Sequence, residues 1–392
     1  DEYDKGGSVQ SSQVTRRVFF LLIMVLLPAV HAAAQSVSEP DSLTFTAEVG
    51  FDGYYKPGGW APVRVTVSNN GPDLEGLIVV KQSGGSPGET ARYQAPIGLP
   101  GQSRKTVTLF VGAGTYQQHM TVSLTAAGRT LAEDRVPITQ VGAQEHLYAV
   151  VSGEPVDMNA LEQATGATSY VAYLTLDQLP AAGPAWDALD LLVLNNVDTA
   201  VLEPDQFTAL QGWLAIGGQL IVTGGPNWRK TSAGLGDLLP VTVGGSISSP
   251  DLSALSELTG SAVGGGPFVV AQGTLRDGRT VLAQDDLLLL ARRREGLGQV
   301  DWLALDLALA PLRDWSGNDR LWGAILATPD RVTWDHSNID VWAAREGLAN
   351  IPSLTLPSTL QMVAFLLVYT AIVGPINYFF LRRLQRRELA WL

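Results

Sequence analysis

The sequence predicts a multidomain chain: an all-β sandwich, an α/β domain after it, and one membrane-spanning helix near the C-terminus. Three observations predict this. Across residues 43–141, apolar and polar residues alternate in short runs divided by Gly, Pro and Asn. Across residues 145–328, apolar strands alternate with helical stretches. Residues 360–381 (LQMVAFLLVYTAIVGPINYFFL) carry no charge and end on arginines.

Taken in order, residues 1–34 read as a signal peptide. Arg16 and Arg17 precede the apolar run 18–27, and Ala32, Ala33 and Ala34 supply small residues for cleavage after Ala34. The paired arginines also fit a twin-arginine signal loosely, so the export route stays open between that and general secretion. Residues 35–42 are a polar linker. In the sandwich, residues 43–49, 63–67, 77–80, 106–110 and 120–124 alternate with period two, so one face of each turns inward. The separators 69–72 (NNGP), 83–88 (SGGSPG) and 99–101 (LPG) are turn signals.

From residue 145 the rhythm changes. Residues 147–151, 169–173, 189–194 and 219–223 read as strands, with helices over 156–164 and 204–216. Pro204 suits a first helical turn, Phe207, Leu210 and Leu214 share a face, and Gly217 closes the helix. This alternation predicts a parallel sheet covered on both faces. After Gly225 the chain is more β-like, at 241–243, 268–270, 281–283, 287–290 and 300–305, with a closing helix from Asn318 to Leu326. Residues 329–358 read as a stalk. In the membrane helix Ser358 is the expected N-cap, Pro375 a kink, and Tyr378 an interfacial anchor. Arg382, Arg383, Arg386 and Arg387 make residues 382–392 a basic tail, which the positive-inside rule places in the cytoplasm.

Composition excludes several chemistries. The chain has no cysteine, which rules out disulfides, thiolate metal ligands and a cysteine nucleophile. Its net charge is -12 although the C-terminal tail is basic, so the bulk is acidic and nucleic acid is not an expected partner. No Walker lysine motif and no G-x-G-x-x-G follows the first α/β strand, and no G-x-S-x-G elbow is present. No cofactor and no metal is expected. His31 leaves with the signal; His119, His146 and His336 are scattered, and Asp335 beside His336 points to the opposite face of a strand. Asp285-Asp286 reads as a solvated turn, and Arg292-Arg293-Arg294 as solvent-facing or ion-paired. One candidate ligand site remains, at the carboxyl ends of the α/β strands: Asn195, Asn196 and Asp198 after one strand, and Thr223, Gly224 and Gly225 after the next. The same residues also read as capped turns without a ligand.

Residues 60–71 (WAPVRVTVSNNG) resemble the start of immunoglobulin-like domains of bacterial envelope proteins. Residues 190–196 (DLLVLNN) through 210–225 (LQGWLAIGGQLIVTGG) resemble the flavodoxin-like sheet of class I glutamine amidotransferase-like domains. Active members use a cysteine, so the resemblance implies a degenerate domain without that activity. Residues 373–378 (VGPINY), 381–384 and 386–391 resemble the tail of bacterial membrane proteins with this domain order, in which a further membrane helix follows, so a chain truncated at Leu392 is expected. The combined expectation is a non-enzymatic extracytoplasmic binding or scaffold module, anchored in the lipid bilayer of the cell membrane. Two alternatives stand beside it. One is an envelope hydrolase using the strand-end crevice; the other is a subunit of a multi-helix membrane complex, contacting a membrane-protein partner through Gly374, Pro375 and Asn377.

Overall fold

The computed structural model describes residues 42–83, 90–114, 117–154, 158–326 and 359–383. The expected signal peptide, most of the linker, the stalk, Ser358, Asp335, His336 and the tail beyond Arg383 lie outside the described residues.

The N-terminal unit is built from two antiparallel sheets, together with a short parallel pair, β2 (Tyr54–Tyr55) and β9 (Thr139–Gln140). In the first, β1 (Leu43–Val49), β3 (Trp60–Asn69) and β6 (Ser103–Gly112) lie in the order β1-β3-β6. In the second, β4 (Leu74–Ser83), β5 (Thr90–Leu99), β7 (His119–Ala126) and β8 (Arg129–Pro137) lie in the order β5-β4-β7-β8. The period-two pattern does its expected work: Val63, Val65 and Val67 are buried with Ile78, Val80, Val122 and Leu124 of the other sheet in one core. Each such side chain contributes about 1.5–3 kcal/mol by leaving water. The turn after β3 is tied down by Asn69, whose Nδ2 donates to Pro72 O at 2.7 Å and Leu99 O at 3.0 Å while its Oδ1 accepts from Gly71 N at 2.9 Å.

The second unit holds a seven-stranded mixed sheet. Its strands are β10 (His146–Ser152), β11 (Ser169–Leu174), β12 (Leu191–Asn195), β13 (Gln219–Thr223), β16 (Arg279–Gln284), β17 (Leu287–Glu295) and β18 (Gly298–Leu303). The order is β11-β10-β12-β13-β18-β17-β16, parallel from β11 to β18 and antiparallel from there on. The expected parallel sheet is therefore only part of the sheet, because tight turns join β16, β17 and β18 and force them antiparallel. The pair β14 (Val241–Ser249) and β15 (Phe268–Leu275) forms a separate two-stranded arm. Helices α1 (Asn159–Gln163), α2 (Pro204–Ala215), α3 (Trp228–Ser232), α4 (Ser253–Thr259) and α5 (Asn318–Leu326) pack around the sheet. The central strands are buried on both faces, which is why β12 reads as an unbroken apolar run.

Two tryptophans fill space beside α2, both with the indole N–H satisfied. Trp213 on α2 lies 5.4 Å from Trp186, donating to Leu189 O at 3.0 Å, and Trp186 donates to Pro180 O at 2.9 Å. Gly218 must be glycine, since a Cβ there would sit 2.3 Å from the Trp213 ring. The expected face of α2 also includes Gln206, whose buried amide donates to Leu176 O and Leu179 O at 2.9 Å each.

The two units share an interface that the sequence reading did not anticipate. Phe51 of the first unit is buried in the core of the second. Lys56 Nζ meets Asp190 at 2.6 Å, Arg64 meets Asp177 at 2.5 Å, and Gln178 Nε2 donates to Glu48 at 3.0 Å. Burial alone would raise the Asp190 carboxyl, but His146, Lys56 and the Leu147 N–H together hold it below the usual carboxylate range.

Among the described residues, one helix, Thr359–Phe380, is long and apolar enough to cross a membrane. It runs as α6 (Thr359–Ala371), a π-turn at Ile372–Ile376, and α7 (Asn377–Arg383). The π-turn holds Pro375, whose missing N–H and ring prevent regular α-helical bonding there.

Candidate functional site

The parallel order makes β10 the switch strand: the chain passes from β10 to β11 on one side, then returns to β12 on the other. The carboxyl ends of β12, β13 and β18 bring together residues far apart in sequence. Asn195 ends β12, and its Oδ1 accepts from Thr223 Oγ1 at the end of β13, at 2.5 Å. The Asn195 side chain also lies near the carboxyl of Asp306, just past β18, and favours its ionised form. Asp306 Oδ1 also accepts from Ala308 N at 2.9 Å. Burial pushes the Asp306 carboxyl up, with Glu154 adding to the rise, against the pull of Ala308 and Asn195.

Gly224 and Gly225 are packed into the fold. The N–H groups that would face an anion are already spent, Gly224 N on Leu303 O at 2.7 Å and Gly225 N on Ala304 O at 3.0 Å. The space above them is filled. A Cβ on Gly224 would lie 2.8 Å from Ala271 Cβ on the β14–β15 arm, and one on Gly225 would lie 2.8 Å from Asp306 Cβ. Gly225 also has a φ of +67°, a region that disfavours side chains.

Asp198 does not join this cluster. It caps a short 3-10 turn, its Oδ1 accepting from Ala200 N at 3.1 Å. Asn196 is buried at a φ of +49°, and its Oδ1 has no hydrogen-bond partner among the described residues. Of the six candidates, then, Asn195 and Thr223 are joined directly, Gly224 and Gly225 form the packed floor, Asp198 is a cap, and Asn196 stands apart. Sequence reasoning missed Asp306, because nothing local in its neighbourhood marks it; only the pairing of β13 with β18 brings it to Asn195.

The remaining chemistry-bearing residues fall elsewhere. His119 Nδ1 lies 3.1 Å from Arg135 Nη2, and His146 lies 3.8 Å from Asp190. Asp285 occupies the turn between β16 and β17 at positive φ. Arg292 departs from the solvent-facing option: it is buried and paired with Asp301 at 2.5 Å, because its alternation along β17 turns it under α5. Among the described residues no three His, Asp or Glu side chains converge as metal ligands. Two open concavities, one lined by Ile376, Phe379 and Phe380 and one by Glu75, Leu77 and Arg92, lie away from the strand ends.

Among solved structures, the chain is similar to the sporulation control protein Spo0M of Bacillus subtilis, at 12% identity over 25% of this chain and 49% of that one, TM-score 0.17. It thus spans about half the length of that protein. It is also similar to the CARDB domain of the PF1109 protein of Pyrococcus furiosus, at 14% identity over 25% of this chain and 87% of that one, TM-score 0.18. A third similarity is to a Paenibacillus cycloisomaltooligosaccharide glucanotransferase, at 14% identity over 45% of this chain and 27% of that one, TM-score 0.22. TM-scores this low support no functional inference. No curated protein matches the chain. Residues 42–139, the two-sheet unit, match the model of a domain of unknown function (DUF8726).

Proposed function

We propose that this chain is a non-enzymatic binding or scaffold module, held by its C-terminal helix on the outer face of a bacterial cell membrane. In this reading residues 1–34 direct export and Arg382 and Arg383 keep the C-terminal end in the cytoplasm. The first unit is an immunoglobulin-like sandwich, a reading supported by its sheet order β1-β3-β6 facing β5-β4-β7-β8. The second is a degenerate amidotransferase-like domain, a reading supported by the flavodoxin-like order β11-β10-β12-β13 and by the absence of cysteine.

The observation that carries the non-enzymatic reading is the closed strand-end crevice. Thr223 Oγ1 is spent on Asn195, Asp306 Oδ1 accepts from Ala308 N, and Ala271 fills the space over Gly224. A ligand site is normally concave, with polar groups left to face its occupant. The test is incubation of the purified full chain with cell-wall glycan and peptide. The reading expects no cleavage above a no-protein control. Cleavage that disappears in Asp306→Asn would replace it with the envelope-hydrolase reading, which the raised Asp306 carboxyl and the unpartnered Asn196 Oδ1 favour. The reading as a subunit of a membrane complex is favoured by the π-turn around Gly374 and Pro375, where a Cβ at Gly374 would meet no atom of this chain.

A further inference from the structure

We propose that the amino-terminal end of the α/β sheet rests on the lipid surface, with Leu297 and Ile216 entering the headgroup boundary and Arg294 contacting anionic lipid. The proposal rests on the membrane-helix reading above.

The turn between β17 and β18 is pinned to the end of α2. Leu297 N donates to Ala215 O at 2.9 Å. Cβ atoms on Gly296 and Gly298 would lie 2.5 Å from Ala215 O and 2.2 Å from Leu214 O, so only glycines allow so close an approach. Leu297, 83% exposed, is therefore held outward by a clamped turn, beside Ile216, which is 50% exposed. A lone exposed leucine is ordinary; the position of this pair is not. α5 finishes at the same end of the sheet, where its Ile325 carbonyl accepts from Arg292 at 2.6 Å and from Gln219, the first residue of β13, at 3.4 Å. Beyond Leu326 the chain leads to the membrane helix at Thr359. The end that shows two clamped apolar side chains is thus the end from which the chain departs for the bilayer. Arg294 lies on the sheet face of Arg292, opposite Gln299 in β18, and is exposed with no ion pair among the described residues. An apolar pair flanked by a free guanidinium matches a bilayer surface, where apolar groups settle among the headgroups and cations meet lipid phosphate.

The absence of cysteine makes the test direct. Leu297→Cys, Ile216→Cys, Val201→Cys and Leu366→Cys are introduced singly into the full chain and labelled with an environment-sensitive fluorophore. The protein is reconstituted in vesicles of phosphatidylcholine and phosphatidylglycerol carrying nitroxide lipids. Val201, 63% exposed in the turn that follows β12, reports the opposite end of the sheet. The expected result is strong quenching at 366 and quenching at 297 and 216 several-fold above that at 201. The difference should shrink in vesicles without phosphatidylglycerol and in Arg294→Gln. Quenching at 366 with 297 and 216 no different from 201 overturns the lipid contact and leaves the membrane helix standing. No quenching at 366 overturns the membrane-helix reading and this proposal with it. Quenching at 297 that ignores both the anionic lipid and Arg294→Gln overturns the part assigned to Arg294.

Discussion

Replacing Arg292 with methionine strips a buried carboxylate of its cation. Asp301 is fully buried and accepts from Arg292 Nε at 2.5 Å, Gln219 Nε2 at 2.8 Å and Gln299 Nε2 at 2.9 Å. Burial pushes its carboxyl up, while Arg292 and the two amides pull it down. In Arg292→Met only the amides remain, and breaking a buried pair from one side costs about 3–5 kcal/mol. The lost bond to Ile325 O, at 2.6 Å, adds about 1 kcal/mol by freeing the last turn of α5. Urea unfolding of the full chain in detergent, followed by tryptophan fluorescence and near-ultraviolet circular dichroism, measures the loss. Trp302 and Trp322 are buried in the same core and report it. The double variant Arg292→Met, Asp301→Leu removes the charge with its partner and is expected to recover most of the stability. A loss below about 1 kcal/mol in the single variant would refute the reasoning. So would a double variant no more stable than the single one.

Three further outcomes follow from the same geometry. Asp190 is held below its ordinary value of 3.8, so its ionised form favours the folded state. That contribution is full at neutral pH and is lost as pH falls below 3.8 through the folded value; hydrogen exchange near His146 should rise there, and Asp190→Asn should remove the step. Gly225→Ala is expected to cost about 1–3 kcal/mol in thermal or urea unfolding, because its Cβ meets Asp306 and its φ is positive; an unchanged midpoint would mean the floor is loosely packed. Asn196→Gly removes a buried, unpartnered oxygen at a φ that suits glycine, so a gain of about 1 kcal/mol is expected; a loss would show that the oxygen has a partner in solution.

Periodicity made most elements legible. The closing helix is at Asn318–Leu326 and the clearest one at Pro204–Ala215, close to where the sequence placed them, because each has a one-sided apolar stripe and a clear start. The candidate site was half legible. Asn195 and Thr223 end strands, and strand ends are recognisable; Asp306 and Ala271 reach them through long-range pairing that no local pattern encodes. Arg292 takes the ion-paired option, but three consecutive arginines do not reveal its partner, a buried Asp301 on the next strand. The contacts of Lys56 and Arg64 with Asp190 and Asp177 were invisible, because each residue alone is an ordinary surface charge.

In the proposed reading an apolar helix holds an acidic, folded body on the extracytoplasmic side of the membrane. Cysteine labelling on intact spheroplasts with a membrane-impermeant maleimide tests it most directly, comparing Val201→Cys with Arg383→Cys in an otherwise cysteine-free chain. The account predicts that position 201 reacts on intact spheroplasts and position 383 only after lysis. Reaction at 383 before lysis, or protection of 201 until lysis, would contradict it.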